Sequence, residues 1–196
     1  ILISVIVPFC AAAEDTIQLG EIVVTASRIE EPIYTTPVSV TVVTETAIRQ
    51  SHAPALRTIL EASPGISVTS NGAFGGQSSI FIRGTNSNHT AIMIDGIRVY
   101  NPLLGGSGTI VNTLGLDNVE RIEIVRGPQS SLYGSDAIGG VVNIITRRGE
   151  GAPHHDLTFE YGAHRTFRES LSSAGAIEPF SYSIVISRLD TDGISS

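Results

Sequence analysis

The sequence predicts an α+β domain, with a small mixed sheet and short helices, followed by amphipathic antiparallel strands. Three observations indicate this fold class. Short β-branched runs separated by Gly-rich loops fill the chain up to residue 148. An amphipathic helical stretch among them carries Leu56, Ile59 and Leu60 on one face. Beyond residue 148 the pattern changes to an alternation of apolar and polar residues, which is typical of strands with one wet face.

Composition excludes two classes of function. The chain has 196 residues and a net charge of −7, and all 12 of its basic residues are arginines. A Walker A phosphate loop requires a lysine, so nucleotide hydrolysis of that type is excluded. A basic face for nucleic acid is not expected from this charge balance. The length allows one domain and the beginning of a second.

Residues 1–13 are interpreted as the remnant of a secretory signal peptide, and the front of the chain is expected to be missing. An apolar run ends in Ala11, Ala12 and Ala13, which resembles a small-residue cleavage site. The run is shorter than the roughly 20 apolar residues of a transmembrane helix. Cleavage after Ala13 would remove Cys10, the single cysteine, and with it any disulfide or thiolate metal site. We therefore expect an exported protein.

Residues 14–37 are predicted to form a tail with one β-branched run, and residues 38–148 a compact unit. Within that unit, residues 38–44 alternate like a strand, and Thr44 is suited to cap a short helix. Pro54 is expected in the first turn of the amphipathic helix, and a further strand is predicted from Ile66.

Four more strands and two loops complete the predicted unit. The strands are expected at residues 80–84, 90–100, 119–127 and 141–146, with a short helix within 129–137. Residues 71–79 and 101–109 are rich in Gly, Ser and Asn, so they are predicted to be loops. The Gly139-Gly140 pair is expected to let two backbone segments pass closely.

Residues 149–196 are predicted to form strands with one apolar and one polar face. Leu157, Phe159 and Tyr161 alternate with Thr158 and Glu160. Further along, the same pattern places apolar residues opposite serines: Phe180, Tyr182, Ile184 and Ile186 against Ser181, Ser183 and Ser187. The alternation is compatible with a transmembrane β-barrel and equally with a soluble sandwich.

Four stretches together resemble the TonB-dependent outer-membrane receptors. They are "EIVVTASR", "SSIFIRGTNSNHTAIMIDGIRV", "VERIEIVRGPQSSLYGSDAIGGVVNIITR" and the barrel-type alternation that follows. The resemblance implies a plug domain over residues 38–148 and the start of a transmembrane antiparallel β-barrel from residue 149, so the chain is expected to be a fragment. Within the family, "SSIFIRGTN" and "YGSDAIGGVVNIIT" are most similar to the cobalamin receptors.

The resemblance assigns the first of these stretches to the TonB box. A β-branched run in a tail is suited to pairing as an added strand with a partner's sheet edge, and the implied partner is the periplasmic C-terminal domain of TonB. The alternative is an ordinary first strand of the plug. The implied residues are Glu21, Ile22, Val23, Val24, Thr25 and Ala26.

The resemblance to cobalamin receptors also implies positions that contact the ligand. Gly and Ser in the two loops offer backbone N–H groups and hydroxyls to a large ligand, while turns without a ligand role are the alternative. The implied contacts are Gln77, Ser79, Asn86, Leu104 and Gly105.

A further set of plug residues is implied to be structural. In the family, plug arginines face barrel glutamates, which would lie beyond residue 196, so Arg83, Arg98 and Arg126 are expected to be unpaired or solvent-facing. The stretch from 126 to 148 is expected to lie against a hydrated barrel wall and not in a dry core. The whole set comprises Arg83, Gly84, Asp95, Gly96, Arg126, Gly127, Pro128, Tyr133, Gly134, Gly139 and Gly140.

The resemblance therefore implies a receptor and transporter, not an enzyme, in the outer membrane of a Gram-negative cell with its tail in the periplasm. The expected cargo is a corrinoid such as cobalamin, bound at the outer face of the plug. A ferric siderophore or haem is the alternative cargo, and a soluble exported binding module is the alternative class. No catalytic residue, metal site or cofactor is expected, apart from possible calcium in barrel loops of the full-length protein.

Overall fold

The fold is described by a computed structural model over residues 22–23, 25, 27–29, 31–33, 36–71, 76–99 and 108–192. The predicted signal peptide lies outside these residues. So do five of the predicted site residues: Glu21, Val24, Ala26, Leu104 and Gly105. Among the described residues, no helix is both long and apolar enough to cross a membrane.

The described chain forms four sheets and four short α-helices. The strands are β1 Ile22–Val23, β2 Glu31–Pro32, β3 Ser39–Thr44, β4 Ile66–Asn71, β5 Gln77–Ile82, β6 Thr90–Ile94, β7 Ile97–Arg98, β8 Val119–Arg126, β9 Gly140–Thr146, β10 His154–Gly162, β11 Thr166–Ile177 and β12 Phe180–Asp190. The helices are α1 Glu45–Ser51, α2 Leu56–Ala62, α3 Gly108–Thr113 and α4 Ser130–Tyr133.

A five-stranded mixed sheet organises residues 39–146. Its order is β3-β8-β9-β6-β7, in which β9 is parallel to β6 and antiparallel to β8. One face of the sheet packs on α1, α2 and the β4–β5 hairpin, and there Leu56, Leu60, Ile82, Ile122 and Ile144 are almost fully buried. This cluster is the main hydrophobic core, so the predicted α+β class is confirmed.

The two helices that pack on the core, α1 and α2, are stabilised at their first turns in different ways. The Thr44 hydroxyl accepts a hydrogen bond from the Ala47 N–H at 3.4 Å, so Thr44 caps α1 as the sequence predicts. The prediction for Pro54 is wrong, because α2 starts at Leu56 and Pro54 lies before its N-cap, Ala55. Ala55 makes no side-chain cap bond, and burial of the apolar face of α2 stabilises this helix instead.

In two places the structure contains a hairpin whose strand ends differ from those that the sequence predicted. The stretch 90–100 is not one strand, because Asp95 and Gly96 adopt φ of +50° and +78° and turn the chain between β6 and β7. An Asp-Gly pair with positive φ at both positions is a preferred two-residue hairpin turn. The predicted loop 71–79 is also shorter, since β4 runs to Asn71 and β5 starts at Gln77.

The expectation of a hydrated neighbour for residues 126–148 is wrong for β9. This strand is the middle strand of the sheet, and Val141, Val142 and Ile144 are at most 1% exposed. Gly140 makes that position possible, because a Cβ there would lie 2.4 Å from the carbonyl oxygen of Val125. The close backbone approach predicted for the glycine pair is therefore confirmed, but it occurs inside the core.

Strands β10, β11 and β12 form a separate antiparallel meander. Its apolar side chains are exposed, including Phe180 (76% exposed) and Ile186 (67%). The opposite face is polar and contacts the first domain: Arg168 pairs with Asp117 at 2.9 Å. The prediction that amphipathic strands follow the α+β domain is thus confirmed. The apolar face of these strands points away from that domain.

Candidate functional site

The tail residue Thr25 is bound on the face of the five-stranded sheet opposite the main core. It is fully buried, and all of its polar groups are hydrogen-bonded. Its N–H and its hydroxyl both donate to Glu123 Oε2, at 2.8 and 2.6 Å. Its hydroxyl accepts from Asn143 Nδ2 at 3.0 Å, and its carbonyl accepts from the Tyr133 hydroxyl at 2.9 Å. We call Glu123, Asn143 and Tyr133 the Thr25 site.

The two central strands position the polar atoms of this site. Glu123 on β8 is directly opposite Asn143 on β9 in the antiparallel register, so both side chains point to the same face. The amide of Asn143 is oriented by a second bond, because its Oδ1 accepts from the Gly96 N–H at 3.2 Å. Nδ2 is thereby left to donate to Thr25.

Glu123 is a fully buried carboxylate with a nearby cation. Arg121, two residues earlier on β8, donates from Nε to Glu123 Oε1 at 2.9 Å. A buried carboxylate requires such a pair and further donors, because desolvation of the charge is otherwise strongly unfavourable. Arg121 donates a hydrogen bond to one carboxylate oxygen and Thr25 donates to the other, so the tail provides part of the hydrogen bonding that this buried carboxylate requires.

Tyr133 closes the site from α4. The guanidinium carbon of Arg28 lies 4.7 Å from the centre of the Tyr133 ring, a cation–π distance, and Arg28 also donates to the Leu132 carbonyl. Burial raises the pKa of Tyr133, with a smaller contribution from Glu123 opposed by Arg28. The phenol therefore stays protonated at neutral pH and can donate its hydrogen to Thr25.

The backbone before Thr25 is also paired. Ile22–Val23 forms an antiparallel pair with Glu31–Pro32, so the tail folds back on itself as a small hairpin. Of the predicted TonB box, the structure thus describes β1 and Thr25, both engaged within the molecule.

Sequence reasoning missed Glu123 and Asn143. The available signal was a polar residue inside an otherwise apolar strand: Glu123 lies between Ile122 and Ile124, which are both fully buried. A carboxylate at such a buried position needs hydrogen-bond partners. The third residue of the site, Tyr133, was predicted only as a structural residue.

Two of the predicted ligand contacts lie on the β4–β5 hairpin. Gln77 is exposed and Ser79 is half-buried, and they alternate with the buried Ser78 and Ile80. Their cross-strand partners are Asn71 and Thr69, respectively. The outward face of this hairpin is therefore a row of amides and hydroxyls, of which the sequence identified one strand only.

Asn86 is not in this row. It is exposed and follows the turn at the other end of β5, where its carbonyl accepts from the His89 N–H at 2.9 Å. The length of β5 separates it from Gln77, since six strand residues span about 17 Å at roughly 3.3 Å per residue. The remaining predicted contacts, Leu104 and Gly105, lie outside the described residues.

Asn112 on α3 holds the loop end of the same hairpin. The side chain is buried, and its Nδ2 donates to Ser70 Oγ at 3.0 Å and to the Gly76 carbonyl at 2.7 Å. α3 follows the second Gly-rich loop, so this residue links α3 to the ends of the first loop. Sequence analysis did not single it out.

Comparison with known families decides the identity of the fold. The model of the TonB-dependent receptor plug domain matches residues 32–141, which is more than half of the chain. The chain belongs to this family. The predicted plug is therefore confirmed as a domain type, and the region is called the plug below.

Solved structures show the same fold. A ferric enterobactin receptor mutant of Pseudomonas aeruginosa, PfeA, is 30% identical, with a TM-score of 0.65 over 78% of this chain and 25% of that chain. The ferric yersiniabactin uptake receptor FyuA of Yersinia pestis is 24% identical, with a TM-score of 0.65 over 79% and 24%. The P. aeruginosa receptor FpvA, bound to a heterologous ferric pyoverdine, is 21% identical, with a TM-score of 0.76 over 87% and 22%. The chain spans about a quarter of the length of these receptors.

The three plug arginines have different environments. Arg83 is exposed, as expected. Arg98 is also exposed, as expected, although it pairs with Asp136. Arg126 is 8% exposed, and its Nε and Nη2 have no hydrogen-bond partner among the described residues. Burial, and then the charge of Arg83, lower the pKa of Arg126.

The other predicted structural residues of the plug serve mainly in turns. Gly84, Gly96, Gly127 and Gly134 have φ between +75° and +118°, the region that favours glycine. Asp95 holds the end of β9, since its carboxylate accepts from the N–H and the hydroxyl of Thr146. Pro128 is exposed in the turn before α4, and Gly139 is buried against Thr85.

The described part of the chain contains no cluster of three or more His, Cys, Asp or Glu that could hold a metal ion. Asp190 and Asp192, the acidic pair near the end of the chain, form ion pairs with Arg188 and Arg165.

Proposed function

We propose that the chain is the N-terminal part of a TonB-dependent outer-membrane receptor that imports a ferric siderophore into the periplasm. The observation that carries this proposal is the plug-family match over residues 32–141, joined to the 30% identity with a receptor named for ferric enterobactin. The proposed activity is binding and transport, with no bond-making chemistry.

The apolar face of β10–β12 supports a place in the membrane. Its exposed side chains at the centre are aliphatic, as at Ile184 and Leu171, and aromatic residues lie towards both ends, as at Phe180 and Tyr161. An apolar band flanked by aromatic residues is typical of the lipid-facing side of outer-membrane barrels. A soluble sheet would leave this face in water, so the exposed side chains argue against the exported binding module.

The proposed transport step involves two regions of the plug, the β4–β5 hairpin and the Thr25 site. Cargo would contact the polar row of the β4–β5 hairpin, with Gln77 and Ser79 as proposed ligand residues and Asn86, Leu104 and Gly105 as further candidates. The tail would then leave the Thr25 site and pair with the periplasmic domain of TonB, which supplies the energy for passage.

Cobalamin is the second candidate cargo. It rests on the similarity of "SSIFIRGTN" and "YGSDAIGGVVNIIT" to cobalamin receptors, whereas the three solved structures are all receptors of ferric chelates by name. These structures favour the siderophore.

Equilibrium binding to the purified full-length receptor tests the proposal. Titration with catecholate, hydroxamate and mixed-ligand ferric siderophores, and with cobalamin, is expected to give saturable binding of one ferric class and none of cobalamin. Cellular uptake of the bound chelate should require TonB. Cobalamin binding with no response to any ferric chelate would refute the cargo, and TonB-independent uptake would refute the transport mechanism.

Substitution on the hairpin tests the proposed ligand face. Gln77→Ala is expected to weaken cargo binding about fivefold, the effect of losing one typical hydrogen bond. Asn88→Ala, at another exposed amide of the plug, is the matched control and should leave the affinity unchanged. Equal effects of the two substitutions would argue against a ligand role for the hairpin.

A further inference from the structure

We infer that Asn112 is a positioning residue for cargo binding, because it holds the β4–β5 hairpin in the register that presents Gln77 outwards. The inference rests on the proposed function, in which the outward face of this hairpin contacts the cargo. The Asn112 side chain is 3% exposed, and its Nδ2 donates to Ser70 Oγ and to the Gly76 carbonyl. One amide therefore binds the chain on both sides of residues 72–75, which connect the two strands.

Among the described residues, the loop end of the hairpin presents no apolar side chain to the core. Its inward pair is Ser70 and Ser78, which lie directly opposite each other. A two-stranded hairpin without a packed apolar face is marginally stable, so this end depends on polar contacts. The other end is anchored by four inward side chains that pack in or against the main core: Ile66, Val68, Ile80 and Ile82.

Asn112 itself is held in place by the core. Its neighbour Val111 is fully buried in the main hydrophobic cluster. Directly after α3, the Leu114 carbonyl accepts a hydrogen bond from the Leu56 N–H at 3.3 Å, which ties α3 to the start of α2. Side chains on packed helices are positioned more precisely than those on loops. The amide of Asn112 is therefore offered to the hairpin from a fixed position.

The contact determines which side chains of β5 face outwards. The Gly76 carbonyl is held directly before Gln77, the first residue of the strand. A shift of one residue would turn Gln77 inwards and Ser78 outwards, because side chains alternate along a strand. With Asn112 in place, the outward row is formed before the cargo arrives, so binding does not have to order it.

The test removes the contact from two sides and leaves the outward row unchanged. Asn112→Ala deletes both hydrogen bonds, and Ser70→Ala deletes one of them. Ser78→Ala is the matched control, because it loses the same atom on the facing strand. Ser78 Oγ has no hydrogen-bond partner among the described residues.

Two properties of the full-length receptor are measured. The first is the affinity for the ferric chelate that saturates the wild-type receptor in the catecholate, hydroxamate and mixed-ligand panel. The second is the mobility of a nitroxide without cargo, in a Cys10→Ala background. The label is placed at Asn71→Cys, at the loop end of β4, or at Ser67→Cys, towards the anchored end, and both positions are exposed.

Apparent affinity falls with the fraction of receptors whose hairpin is in the binding register. Ser70→Ala is expected to weaken binding about fivefold and Asn112→Ala about tenfold or more, since one and two hydrogen bonds are lost. Nitroxide mobility should rise at position 71 and stay unchanged at position 67. The control should change neither property. If Asn112→Ala fails to fold, Ser70→Ala decides.

A residue that only stabilised the plug would lower its urea midpoint and leave affinity and mobility as in the wild type. Unchanged mobility at position 71 in Ser70→Ala would thus overturn the positioning role, whatever the cargo does. Full affinity in Ser70→Ala and Asn112→Ala, with weakened binding in Gln77→Ala, would also overturn it while the proposed ligand face stands. Full affinity in Gln77→Ala as well would refute the ligand face, and with it the role of Asn112 in cargo binding.

Discussion

The central sheet of the plug and the β10–β12 meander are both built from strands rich in apolar residues, with opposite results. In β9, Val141, Val142 and Ile144 are at most 1% exposed, whereas in β12 Phe180 and Ile186 are 76% and 67% exposed. Alternation thus determines which residues share a face. It does not determine whether that face meets protein, water or lipid.

The polar faces of the two regions differ in the same way. In the plug, the Glu123 carboxylate and the Asn143 amide are buried, and both are hydrogen-bonded to Thr25 of the tail. In the meander, the polar face meets the plug at Asp117 and Asn118, through Arg168 and Ser183. Polar groups in both regions are satisfied by a segment distant in sequence, which periodicity alone does not reveal.

The largest expected effect distinguishes the two kinds of apolar residue. Ile122→Ala is expected to destabilise the plug by about 2–5 kcal/mol, because the side chain is fully buried and its loss leaves a cavity. Ile184→Ala, at a side chain 57% exposed, is expected to cost less than about 1 kcal/mol. Urea midpoints of plug unfolding in the full-length receptor measure both. Similar losses would contradict the assignment of opposite environments.

The sequence predicted the elements better than their surroundings. β3, β8, β9 and the cap at Thr44 follow from local patterns, and the Asp95-Gly96 turn could have been found from its residue types. The burial of β9 could not, because Gly-rich, polar flanks suggested an outer position, whereas its place in the sheet depends on pairing with β6 and β8.

The site was predictable only in part. Thr25 and Tyr133 were singled out through a family resemblance, but Glu123 and Asn143 were not, since the contact joins residues about 100 positions apart. The polar row at Gln77 and Ser79 was half predicted. Its partners Thr69 and Asn71 become visible only through the hairpin register, because the loop was expected to be longer.

A second prediction tests the lipid-facing assignment. Ile184→Arg is expected to disfavour folding into lipid vesicles by about 2–4 kcal/mol, the effect of a cation near the bilayer midplane on a barrel exterior. Ser187→Arg places the same charge on the opposite, polar face of β12 and should have little effect. Folding equilibria of the full-length receptor in urea with phospholipid vesicles give both values. An equally harmful Ser187→Arg would mean that the exposed apolar face is not the one that meets lipid.

The smallest effect concerns the contact between the two regions. Arg168 pairs with Asp117 at 2.9 Å, and their side chains are 14% and 16% exposed. Since both are largely removed from water, we expect a coupling free energy of about 1–2 kcal/mol, above that of a surface pair. A double-mutant cycle with Arg168→Ala and Asp117→Asn, read from the urea midpoint of plug unfolding in the full-length receptor, measures it.

The chain provides a matched control for this cycle. Arg165 and Asp192 form a pair of the same residue types, with side chains 80% and 53% exposed. Their coupling is expected to be close to zero, because solvent screens the charges. Equal coupling in the two cycles would show that the Arg168–Asp117 pair does not hold the plug against the meander. The polar face of β10–β12 would then be held against the plug by other contacts, such as Ser183 with Asn118 and Glu160 with His52.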